Sequence, residues 1–183
     1  CSNMCHEPSG SGMRPQIGVG KGTVTLEDFE HADAIFIFGQ NPGTNHPRML
    51  GELREAHKRG AQIVSFNPLR ERGLERFADP QSKMEMATLG STPISTHYFQ
   101  LRVGGDLAAV KGMMKHVLEQ EDAHGGVLDH AFISEHTTGF DALVADLRAE
   151  DWAVLEQESG LTVEQLRAAA DVYIAAKRVI ICW

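Results

Sequence analysis

At 183 residues the chain is long enough for one domain that buries roughly 70% of its unfolded surface, and 42% hydrophobic with 23% charged residues is ordinary for a globular protein. A net charge of -8 offers no basic face for nucleic acid, although a few local donors such as backbone N–H groups can still hold an anionic ligand. No apolar run reaches the ~18 residues of a membrane span, and no charged-then-apolar leader opens the sequence.

Three cysteines are an odd, sparse count that suits a reducing, cytoplasmic setting better than a disulfide framework. The chain opens at Cys1 without Met and closes on "RVIICW", inside what reads as a buried strand, so a single domain cut from a larger polypeptide is expected.

In chain order, "CSNMCHEPSG" comes first and reads as a short loop. Its C-x3-C spacing lacks the third and fourth cysteines of an iron–sulfur cluster, which leaves a soft thiolate beside a histidine. That pair is open to a metal-ligating role, a catalytic role or neither. "GVGKGT" (Gly18–Thr23) lacks the phosphate-loop spacing, follows no predicted strand and reads as a glycine-rich connector. Residues 1–32 are thus set apart from a core of residues 33–183.

The core begins with a buried strand, Ala34–Phe38, running into Gly39. A helix follows, with Thr44 or Asn45 as its cap, Pro47 in its first turn, Met49, Leu50, Leu53 and Ala56 on one face, and Gly60 as its stop. "AQIVSFNP" is a second strand ending at Asn67-Pro68. Strand, helix and strand in ~30 residues form a βαβ unit and a parallel sheet. The Pro/Ser/Thr-rich stretch Asp79–Thr96 reads as a surface insertion. "HYFQLRV" is a third strand, Gly104-Gly105 a turn, and Asp106 the cap of a helix with Leu107, Val110, Met114, Val117 and Leu118 on its apolar face. Short helical patterns run from Asp129 to Gln157. The last helix opens with a capping box, Thr162 and Gln165, and a staple, Leu161 and Leu166, and leads into a strand at Val179–Cys182. These elements make a doubly wound, Rossmann-like α/β domain.

In such a fold "FIFGQNPG" falls at the carboxyl end of a central strand, where ligands bind. Gly39 permits close backbone approach, and the amides after it, through Gln40, Asn41 and Pro42, can cradle a phosphate. The G-x-G-x-x-G pattern is absent, and Asn67 stands where an NAD site places an acid, which weakens an NAD reading. Asp106 is either a plain cap or an acceptor for the N1 and N2 donors of guanine, with Asn67 beside it. Arg70, Arg72 and Arg76 lie near the same mouth as possible phosphate contacts. His124, His130 and His136, six residues apart, share no helical face for a metal, and Cys182 reads as a small hydrophobe.

The succession "MCHEPSG", "GVGKGTVTLEDFEHADAIFIFGQNPGTNHP", "GAQIVSFNPLRERG" and "GGDLAAVKGMM" resembles the molybdopterin-dependent oxidoreductases of the dimethyl-sulfoxide-reductase superfamily, closest to the formate-dehydrogenase-alpha-like branch, over nearly the whole chain. The resemblance implies molybdenum, or tungsten, held by bis-molybdopterin guanine dinucleotide. It implies Cys5 as metal ligand and His6 as the neighbouring proton acceptor and donor. Gly39, Gln40, Asn41, Pro42, Asn67, Pro68, Arg70, Gly104, Gly105 and Asp106 are then cofactor-binding residues. Asn67 departs from the family's Asp, Arg70 is displaced by one position, and residues 80–96 are longer than in formate dehydrogenases, so formate as substrate is not implied.

An iron–sulfur cluster, a small-molecule substrate, an electron acceptor and the parent enzyme's other domains are implied outside this segment, which alone is expected to be inactive. The competing reading, from another class, is a free-standing module that binds NAD or a guanine nucleotide.

Overall fold

The structure, a computed structural model, describes residues 6–183, the side chain of His6 excepted. Four parallel strands form its sheet: β1 (Ala34–Phe38), β2 (Gln62–Phe66), β3 (His97–Phe99) and β4 (Val179–Cys182), in the order β3-β2-β1-β4. β1 lies in register with Gln62–Phe66 on one side and with Val179–Cys182 on the other.

Alternation along β1 assigns its residues to two faces. Ala34 and Phe36 point into a core shared with Val64, Phe66 and Phe99, which helices α3 (Asp106–His124), α5 (Trp152–Ser159) and α6 (Val163–Ala175) cover. Ile35 and Ile37 point the other way, onto Met49, Leu50, Leu53 and Ala56 of helix α2 (Pro47–Arg59), the face expected from its periodicity. Helices on both faces of a parallel sheet make the domain doubly wound, as read from the sequence.

Several local readings are corrected. The opening loop is a helix from its sixth residue, α1 (His6–Ile17), despite Pro15 within it. Its composition hides it, because tertiary contacts hold it: Trp183 Nε1 donates to Ser9 Oγ at 3.0 Å, and Gly10 packs directly on Gly20. Helix α2 starts at Pro47 with His46 in the cap position, while Asn41 caps a separate turn, Pro42–Asn45, whose Thr44 N–H meets the Asn41 side chain at 3.3 Å.

The third strand stops at Phe99, since Arg102 turns away to α5 and donates to the carbonyls of Ser159 (2.8 Å) and Gln157 (2.7 Å). Asp106 is not a cap: Gly105 holds that position without a side-chain bond, and Asp106 opens the first turn of α3. Residues 79–96 are more than surface. They contain a helical turn (Lys83–Thr88), a Thr92–Pro93 strand paired antiparallel with Arg76–Phe77, and a fully buried Ile94.

Candidate functional site

Strand order β3-β2-β1-β4 means that the chain leaves β1 in one direction and later returns on its other side. The carboxyl ends of β1 and β4 therefore flank the topological switch point, where doubly wound sheets bind ligands. A cleft of about 1350 Å³ opens there. Phe38, Gly39 and Gln40 form its floor at the end of β1, and Cys182 and Trp183 lie opposite. Ser9, Gly10 and Met13 of α1, with Gly20–Gly22, make one wall; the start of α3 and helix α4 (Phe140–Ala149) make the other.

The stripe Leu107, Val110, Met114 and Val117 lines this cleft. A different face of α3, with Ala108, Ala109, Gly112 and Met113, is buried in the core, and the small Gly112 lets it approach α5 and α6 closely. A Cβ at Gly112 would lie 2.9 Å from Leu166. Of the apolar face expected for this helix, Leu107, Val110 and Met114 line the cleft, whereas Val117 and Leu118 line it and also pack on the core.

Of the residues singled out in the sequence, the structure brings Gly39, Gln40, Asn41 and Asp106 to this one cleft. Gly39 adopts φ +65°, a left-handed conformation that favours glycine, and its N–H donates to Phe66 O at 2.8 Å. Gln40 Nε2 donates to Trp183 O at 3.1 Å, which fixes the amide and leaves its Oε1 buried with no partner among the described residues. A buried acceptor without a donor is one that a bound molecule can satisfy. Asn41 donates to Glu71 Oε2 at 2.7 Å, and Pro42 is buried at the start of the following turn.

The remaining candidates support the mouth rather than line it. Asn67 is buried, donates from Nδ2 to Gln40 O (3.2 Å) and accepts from Leu69 N (3.0 Å), so it ties the end of β2 to the end of β1. Pro68 O accepts from Gln100. Arg70 pairs with Glu75 at 2.7 Å and lies over the Tyr98 ring. Tyr98 in turn receives the Glu71 N–H and donates to Leu69 O, and burial raises its pKa. Arg76 is taken up by Ser91. Gly104 is needed for its φ of +82°, and Gly105 because a Cβ there would meet Glu158 and Ser159 backbone at 2.9 Å.

Cys5 and the His6 side chain lie outside the described residues. Among the described ones, no group of three His, Cys, Asp or Glu side chains is arranged to hold a metal ion. Burial pushes the Cys182 thiol up to about 11, so it stays protonated near neutrality and is a poor ligand. His130 is engaged by Glu121 at 2.8 Å. The described cleft therefore fits the nucleotide part of a cofactor, with its size, polar mouth, orphaned Gln40 acceptor and apolar interior. No described helix is long and apolar enough to cross a membrane.

Sequence reasoning missed two parts of this site. One is the α3 stripe. The other is Lys21, whose Gly-Lys-Gly setting was visible but had no strand before it to suggest a binding loop.

No protein-family model matches the chain. It is 50% identical over its whole length to Protein YdeP of Escherichia coli (strain K12), covering 25% of that protein. It is 26% identical, again over its whole length, to formate dehydrogenase H of the same organism, covering 22% of it. Among solved structures, acetylene hydratase from Pelobacter acetylenicus superposes on 96% of the chain with a TM-score of 0.70 at 19% identity, the chain covering 20% of that structure. The last likeness is one of fold. The chain spans about a quarter of the length of the curated relatives it matches.

Proposed function

We propose that the chain, which is similar to formate dehydrogenases, is the cofactor-binding domain of a molybdopterin-dependent, formate-dehydrogenase-like two-electron oxidoreductase and takes one nucleotide half of a bis-molybdopterin guanine dinucleotide. The observation that carries this reading is the switch-point cleft, which gathers Gly39, Gln40, Asn41 and Asp106 at the ends of β1 and β4. When bound, the cofactor with its molybdenum or tungsten supplies the two-electron redox chemistry.

The chain's own residues bind and orient. The unpartnered Oε1 of Gln40 and the carboxylate of Asp106 accept hydrogen bonds, which suits guanine, whose N1 and N2 are donors. Phe38, Val110 and Met114 keep water from the ring faces. Asn67 and Asn41 hold the mouth in shape through Gln40 and Glu71. Cys5 would hold the metal through a soft thiolate, and His6 would accept and return the proton that accompanies the electrons. The iron–sulfur cluster, the small-molecule substrate and the electron acceptor belong to the rest of the enzyme, without which this segment is inactive. Sparse cysteines fit a cytoplasmic setting.

The test uses the full-length enzyme. Acid hydrolysis should release guanosine monophosphate at two per metal. Cys5→Ser should lower turnover more than about 100-fold and alter the metal X-ray absorption edge while leaving the nucleotide content unchanged, since a hydroxyl is a harder and less acidic ligand. Adenosine monophosphate in the hydrolysate, or wild-type turnover with an unchanged edge in Cys5→Ser, would overturn the assignment.

A further inference from the structure

We infer that Lys21 is the anion-binding residue of the cleft, contacting phosphoryl oxygens of the bound nucleotide; the inference rests on the function proposed above. "GVGKGT" is not a phosphate loop, because it follows the helix α1 rather than a strand. The fold nevertheless brings Gly20, Lys21 and Gly22 to the cleft wall.

Three observations converge on this residue. Lys21 is the one Lys or Arg among the described residues lining the cleft, in a chain of net charge -8. Its backbone is fixed: a Cβ on Gly20 would sit 2.9 Å from Gly10 O, and one on Gly10 would sit 3.1 Å from Gly20 O, so the loop is locked onto α1 by a contact only two glycines allow. The ammonium itself is free, with no hydrogen bond or ion pair among the described residues. Lysines on the outer side of α3 differ. Lys111 pairs with Asp146 and Glu150, and Lys115 caps the carbonyls of Leu147 and Arg148.

Asp106 also lines the cleft, from α3, and is likewise unpaired among the described residues. Two opposite charges that share a cleft without neutralising one another suit a ligand carrying both donors and an anion, as a guanine nucleotide does. An ammonium, a compact charge with three donors, matches phosphoryl oxygens, and the apolar walls strengthen the attraction by lowering the local dielectric.

The test compares full-length wild-type enzyme with Lys21→Met and Lys21→Arg, purified with cofactor and from a host that cannot make it. Lys21 is exposed, so all three should melt alike. In the cofactor-loaded enzyme, Lys21→Met should release several-fold less guanosine monophosphate per chain on acid hydrolysis. In the cofactor-free enzyme, its Kd for inorganic pyrophosphate, measured by calorimetry, should rise about tenfold, with Lys21→Arg within about threefold of wild type.

Unchanged nucleotide content together with weakened pyrophosphate binding would assign Lys21 to a free oxyanion and overturn the nucleotide contact. Wild-type values in both measurements would remove any anion role. Should the wild-type enzyme hold no guanine nucleotide, the proposed function fails, while the pyrophosphate titration still decides whether Lys21 binds an anion.

Discussion

On the α2 face of the sheet, Ile35, Ile37, Leu53, Ile63, Leu74 and Ile94 have no exposed surface, and residues 79–96 are fastened over them. On the α3 face, Phe36 and Phe66 are equally dry, yet a cleft of about 1350 Å³ opens beside them. The fastening is ionic. Arg54, projecting from α2, donates through Nε and Nη2 to Glu85 Oε1 at 3.1 and 2.6 Å and lies 3.4 Å from Asp79. The Asp79 amide and Arg54 hold the Glu85 carboxyl down at about 2. On the other face α3 buries Ala108, Ala109, Gly112 and Met113 and turns Leu107, Val110 and Met114 to the cleft. One face is closed for stability; the other keeps the volume a ligand needs.

The largest effect should come from the closed face. Leu53→Ala removes a fully buried side chain and should cost about 3 kcal/mol in denaturant unfolding. A loss under 1 kcal/mol would mean that this face relaxes as the cleft face can. Next is Gly105→Ala, where the new Cβ would meet backbone at 2.9 Å rather than a flexible side chain; a loss of about 2 kcal/mol and a shifted start of α3, seen in amide chemical shifts, are expected.

The Arg54–Glu85 fastening should appear in the pH dependence. Glu85 has its folded pKa depressed from 4.5 to about 2, so its contribution is present above the unfolded value and fades as pH falls from 4.5 toward 2. Glu85→Gln should therefore lower the melting temperature near pH 7 and converge on wild type near pH 2, with residues 79–96 the first cut by pepsin. A gap that persists at pH 2 would assign the loss to packing instead.

The smallest effect belongs to the cleft. Leu107→Ala should change stability by no more than about 0.5 kcal/mol, because this side chain is 69% exposed. If it costs as much as Leu53→Ala, the two faces do not differ in kind.

Strands β1, β2 and β4, the buried face of α2 and the start of α6 were legible because their signals are local. Thr162 and Gln165 do form the reciprocal cap, at 3.3 and 2.9 Å, over buried Leu161 and Leu166. Gly39 and Asp106 could be placed at one mouth because strand ends in this fold converge. Helix α1 was not legible: Pro8, Gly10, Gly12 and Pro15 oppose a helix, and the contacts that hold it come from Gly20, in the loop after it, and from Trp183 at the far end of the chain. Nor was the orientation of α3, since two apolar stripes share its surface and only tertiary packing decides which faces the sheet. The side chain of Asn67, offered as a ligand contact, bonds to Gln40 and Leu69, a role that its position alone does not reveal.

The strand order also bears on how the molecule assembles. β1 and β2 are joined by a single helix, but Arg178, just before β4, reaches Asp33, just before β1, across 145 residues. Closing so long a span is entropically slow, so β4 is expected to dock late, after the β1–β2 ladder and its helix have formed. Pulse-labelled hydrogen exchange would show this as protection of Ile63 before Ile180, and simultaneous protection would refute it. If β4 docks last, the cleft at the carboxyl ends of β1 and β4 is also the last part of the domain to be completed.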